Sequence, residues 1–137
     1  MAMTDTQTKY VIALNEAHRE LHFAIQGLWQ VSAMRNFLRE LTEASLPYLQ
    51  WSESFRVIAD MDDFVPQNRD TAETIRQHLE CARDHGLQRL AIVTRSPLVR
   101  MQYRRIAASL DIAFFDTKLE ALHWSREFDR VHRYDAA

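Results

Sequence analysis

Apolar and polar positions change period several times along the chain, and each change marks a structural element. Lys9–Leu14 ("KYVIAL") and Glu20–Gln26 ("ELHFAIQ") are short β-rich runs. In the second, Leu21, Phe23 and Ile25 alternate with His22, Ala24 and Gln26, the period of a strand. The polar "NEAHR" between them is too short for a helical crossover, so the pair reads as an antiparallel hairpin that ends at Gly27. From Val31 the spacing turns helical through Met34, Phe37, Leu38 and Leu41, and it stops near Pro47. "FRVIADM" (Phe55–Met61) has a continuous apolar centre, the mark of a strand buried on both faces of a parallel sheet.

The second half repeats the alternation. Asp70 and Glu73 form a capping-box-like pair that opens a helix with the stripe Ala72, Ile75, Leu79 and Ala82, closed by Gly86 as a left-handed cap. "RLAIVT" (Arg89–Thr94) is a fourth strand. Ser96 before Pro97 gives a hydroxyl N-cap and a proline at the first helical position, starting a helix to about Leu110. "IAFF" (Ile112–Phe115) is a short fifth strand. Thr117 and Glu120 then open a helix carrying Leu119, Leu122, Trp124 and Phe128, and the polar tail from about Arg130 is expected to fray. The order β-β-α-β-α-β-α-β-α implies a mixed, mostly parallel five-stranded sheet with four helices.

Composition narrows the class without naming a function. The chain of 137 residues suits one domain with an ordered core of about residues 9–129, and 47% apolar with 26% charged residues is ordinary for a globular protein. A net charge of −2 argues against a nucleic-acid role. No apolar run approaches the ~20 residues that span a bilayer, and "MAMTDTQTK" lacks the regions of a secretory signal. A single cysteine, Cys81, cannot form an internal disulfide and points to a reducing cytoplasm. It falls near the buried stripe and reads as a core or boundary residue. The six histidines show no close metal spacing, so neither a metal nor a cofactor is expected.

The words "AIQGLW", "VIADMDDF", "LQRLAIVTRSPLVRMQYRRIA" and "FFDTKLEALHW", in this order of elements, resemble the SpoIIAA-like family of STAS/Sec14-like bacterial domains. The likeness runs from about Tyr10 to Phe128. It implies a non-catalytic binding or regulatory module, since relatives include anti-sigma-factor antagonists, cytoplasmic domains of anion transporters and small stand-alone proteins. In the antagonists a serine at the start of the helix after the third strand is phosphorylated. The nearest match here is Thr71, although the longer "VPQNR" approach and the missing glycines depart from that pattern. A Sec14-like relationship also implies an apolar ligand such as a lipid tail.

Three groups of residues are candidates for chemistry. Loops leaving the carboxyl ends of parallel strands gather around the usual ligand crevice of an open α/β sheet, which places Trp29, Asp60, Asp62, Thr94, Ser96 and Asp116 there. Asp60 and Asp62 with Thr94, Asp116 and Lys118 are similar in outline to haloacid-dehalogenase-type Mg²⁺-dependent phosphoryl transfer. A cap insertion and the final acidic pair are missing, and a strand end with cap-forming carboxylates is the competing reading. Arg95, Arg100, Arg104 and Arg105 fall within eleven positions, and Arg100 and Arg104 share a helix face. Beside the amides after Ser96 they form either a site for a small anion or acidic partner, or a solvated face balanced by carboxylates. Trp29, Trp51, Trp124, Phe114 and Phe115 are core residues or the wall of an apolar pocket. A partner protein, a small anionic or apolar ligand, and a second copy of the chain in a homodimer all remain open.

Overall fold

A computed structural model describes residues 8–50 and 54–136, with side chains described up to residue 127. Trp51 lies outside the described residues, as does the side chain of Phe128. Strand β1 (Lys9–Asn15) turns through one short 3₁₀ segment, Glu16–His18, into β2 (Glu20–Gln26). Then follow α1 (Val31–Ala44), α2 (Leu46–Leu49), β3 (Phe55–Asp60), α3 (Arg69–Asp84), β4 (Leu87–Val93), α4 (Pro97–Ile106), β5 (Ile112–Phe115) and α5 (Lys118–Ala136).

The expected mixed five-stranded sheet is present, with five helices instead of four. The addition is the single turn α2. Pro47 sits in its first turn, where a missing N–H costs nothing, so the residue expected to stop a helix starts a new one. Other boundaries move for local reasons. Helix α3 begins one residue before Asp70, with Asn68 at the N-cap and no side-chain cap bond, so Asp70 is a first-turn acid instead of the cap. The backbone of α5 continues to Ala136, past the point where fraying was expected.

The strands lie in the order β1-β2-β3-β4-β5, antiparallel between β1 and β2 and parallel thereafter. Right-handed crossovers that always step in the same direction put every crossover helix on one face of the sheet. The main core therefore joins Met34, Phe37, Leu38 and Leu41 of α1 with Ile75 and Leu79 of α3, Val99 and Tyr103 of α4, and the sheet residues Leu21, Ile25, Val57, Leu90 and Ile92. Among the described residues only α5 covers the opposite face, where Ala121 packs on Ile58, Ala91 and Val93. Of the apolar residues expected on α5, Leu122 and Trp124 pack against this cluster while Leu119 is 71% exposed, and the fully buried positions are Ala121 and Ser125. Small residues there let the helix approach the sheet closely. Beyond the reach of α5, Val11 on β1 is 67% exposed.

Candidate functional site

The residues picked for a strand-end crevice do meet, and they satisfy one another. Asp62 leaves the end of β3 and accepts from the Arg95 guanidinium at 2.8 Å and from the Arg95 amide at 3.2 Å. That guanidinium holds the Asp62 carboxyl below the usual carboxylate range. Asp60 accepts from the Asp62 amide at 3.2 Å. Arg100 reaches back from α4 to the Thr94 carbonyl with Nε at 2.9 Å and Nη2 at 2.7 Å, and its Nη2 also pairs with Asp116 at 2.8 Å. Arg100 and Arg104 both stand over the Phe114 ring, 5.8 and 5.1 Å from its centroid.

The start of α4 is similarly closed. Ser96 is the N-cap, and its hydroxyl accepts from the Val99 amide at 3.2 Å. The Ser96 amide goes to the Thr94 hydroxyl at 3.2 Å. Pro97 has no N–H, so of the first four positions only the Leu98 amide stands outside these pairings. The N-terminus thus has far less capacity for an anion than its position suggested.

Strand order explains the closure. A ligand crevice opens at the end of a parallel sheet where the strand order reverses and adjacent crossovers diverge to opposite faces. Here the order never reverses. Neighbouring strand ends stay side by side, and their carboxylates and arginines bridge each other. Among the described residues no three His, Cys, Asp or Glu side chains are grouped to hold a metal ion.

Trp29 and Thr71 belong to a structural knot whose centre, Gln67, sequence reasoning missed. The Trp29 amide donates to Gln67 Oε1 at 2.8 Å, and Gln67 Nε2 donates to the carbonyls of Gly27 at 3.0 Å and Val65 at 2.6 Å. The Thr71 hydroxyl is buried and donates to the Trp29 carbonyl at 2.9 Å. It ties α3 to the loop after β2, so the phosphosite candidate is turned away from solvent. The Trp29 ring packs with Tyr10 and Phe37, and its Nε1 donates to the Gln26 carbonyl at 2.9 Å. Trp29 and Asp60 both border a shallow recess beside Tyr10. A lone glutamine in "VPQNR" carries no pattern, because its partners Trp29 and Gly27 lie 38 and 40 positions away.

Two further features lie outside the expected crevice. One is a groove between α3 and α4, bordered by Pro66, Arg69, Ala72, Leu98, Met101 and Arg105. Its floor is fixed by paired amides, Gln67 N–H to Gln102 Oε1 and Gln102 Nε2 to the Gln67 carbonyl, both 2.8 Å. Leu98 and Met101, three residues apart on α4, are 61% and 52% exposed.

The other is an apolar cavity of about 210 Å³ inside the main core, between α1, α3 and the sheet. Trp29 does not line it, and neither do Phe114, Phe115 or Trp124. Cys81 borders its outer end and is exposed, because it lies off the Ile75–Leu79 stripe by half a turn.

No helix among the described residues is long and apolar enough to cross a membrane. No protein-family model matches the sequence, and no curated protein does. Solved structures do match. An uncharacterised protein of Shewanella loihica PV-4, from the DUF3478 family with a SpoIIAA-like fold, superposes with a TM-score of 0.66 at 17% identity, over 87% of this chain and 95% of that one. An anti-sigma factor antagonist from Mycobacterium paratuberculosis superposes with a TM-score of 0.61 at 11% identity, over 92% of this chain and 99% of the other. The chain has the SpoIIAA-like fold.

Proposed function

We propose that this chain is a non-catalytic binding module that recognises a partner protein through the α3–α4 face. The observation that carries the reading is the pair Leu98 and Met101, exposed side by side above a groove whose floor is pinned by Gln67 and Gln102. Apolar side chains beside a rigid groove are what a protein interface buries first. Arg69, Asp70, Glu73, Arg76 and Arg105 border the same groove, so the fitting partner presents an apolar side chain flanked by charges of both signs. The solved neighbour named as an anti-sigma factor antagonist is a protein named for its action on another protein, which supports the same class of partner here.

The strand-end residues support the non-catalytic half of the reading. Phosphoryl transfer would need Asp60 and Asp62 both free, one as nucleophile and one as acid/base, and Thr94 open to a phosphoryl group. Asp62 is instead held by Arg95, and the Thr94 hydroxyl by the Ser96 amide. These residues serve as the scaffold that fixes α4 against the sheet. A reducing cytoplasm is the compartment that suits the lone thiol.

The test is a photo-crosslinking residue at Met101 in the native host. One discrete adduct is expected, lost with Leu98→Asp and retained with Leu119→Asp on α5. An adduct of dimer mass would assign the face to a second copy of the chain, and an adduct indifferent to Leu98→Asp would overturn the proposed face.

A further inference from the structure

The core cavity has an apolar interior and one open end. Its walls are apolar: Met34 and Leu38 from α1, Ile75 and Leu79 from α3, with Phe23 and Val57 from the sheet. Thr42, Cys81 and His85 line its outer end and are exposed, so it opens between the C-terminal halves of α1 and α3. Apolar cavities of about 150 Å³ admit benzene, and this one is larger, at about 210 Å³. It suits one short chain or one substituted ring and is too small for a two-tailed lipid. Methionine at the wall adapts to either shape.

The polar groups at the mouth define the other end of the ligand. The Thr42 hydroxyl is spent on the Leu38 carbonyl at 3.0 Å, and the Ser45 hydroxyl on the Leu41 carbonyl at 2.7 Å. His85 Nδ1 lies 2.8 Å from the Cys81 carbonyl and 3.8 Å from the Cys81 thiol, which leaves Nε2 for an incoming group. Among the described residues no Lys, Arg, Asp or Glu lines the cavity. Burial lowers the His78 pKa, so that ring adds no charge at neutral pH. We infer that the cavity binds a single small apolar molecule with one short hydrocarbon chain or ring and an uncharged polar end. The inference is independent of the partner-binding face, because the cavity and the Leu98–Met101 surface share no lining residue.

The test titrates n-octanol into the full chain and follows the side-chain methyls of Met34, Ile75 and Leu79 by NMR. Saturable shifts confined to these groups are expected, with half-saturation below about 1 mM. Octanoate at pH 8 should bind at least tenfold more weakly, because its charged end has no cationic partner at the mouth. Ala82→Phe, which fills the mouth, should weaken octanol at least tenfold, while Leu98→Asp leaves it unchanged. Absence of saturable shifts, or shifts centred on Leu98 and Met101, would overturn the site. Equal binding of octanoate would overturn the uncharged end. Should Ala82→Phe not fold, the wild-type shift map and the octanol-to-octanoate ratio decide the matter by themselves.

Discussion

Glu20 opens β2 with its side chain fully buried, and Arg126 of α5 donates to it at 2.9 and 3.0 Å. His22 Nε2 lies 2.9 Å from the same carboxylate. Burial pushes the Glu20 carboxyl up, but the hydrogen bonds from His22 and Arg126 together outweigh it and bring it down from 4.5 to about 2. Because the folded value lies below the ordinary one, the stabilisation is complete above pH 4.5 and disappears as pH falls toward 2. It amounts to about 3 kcal/mol. Urea midpoints of the wild type should therefore fall more steeply over that window than those of Glu20→Gln; parallel pH profiles would contradict the assignment. Arg126→Met leaves a buried carboxylate short of its cation and should cost about 3 kcal/mol at pH 7. Ser96→Ala should cost about 1 kcal/mol through loss of the α4 cap, measurable by the same denaturation. The two sites differ in how far sequence reveals them. Ser96 and its bonded amide are three positions apart, as are Thr117 and Glu120, whose hydroxyl and amide bonds are both present. Glu20 and Arg126 are separated by 106 positions, and no local pattern joins them.

Elements were legible wherever burial follows period. The alternation Leu21, Phe23, Ile25 and the helical stripe Met34, Phe37, Leu38, Leu41 fall in the core as their spacing dictates. Period finds a contact only where large side chains make it: on α5 it finds Leu122 and Trp124, but not the fully buried Ala121 and Ser125, whose small size matters more than their hydrophobicity. The segment between β3 and α3 shows a second limit. Its conformation is set by Gln67, which satisfies the Trp29 amide and the Gly27 carbonyl from inside the core. Gln67→Leu would strand both groups and should destabilise the chain by about 2–3 kcal/mol. Gln102→Leu removes only bonds on the groove floor and should cost less, and a reversal of that ranking in urea titrations would remove Gln67 from the centre of the loop knot.

Across the whole molecule, element order was readable and strand order was not, because the same succession of strands and helices is compatible with several sheet orders. That difference decides the site. Without a reversal in strand order the expected crevice closes on its own ion pairs, and the ligand-like features move to the α3–α4 face and the core cavity. Among the described residues no three ligating side chains are grouped to hold a metal ion, so thermal melts with and without a strong chelator should coincide; a fall of more than a few degrees would show a structural metal. The central claim is that the chain acts by binding a protein at Leu98 and Met101. Native mass spectrometry of the chain purified gently from its own host, as wild type and as the Leu98→Asp, Met101→Asp pair, tests it most directly. The account predicts a stoichiometric protein complex for the wild type and a folded, partner-free chain for the pair. A complex that survives both substitutions, or a wild type that carries no partner and turns over phosphate esters with Mg²⁺, would contradict it.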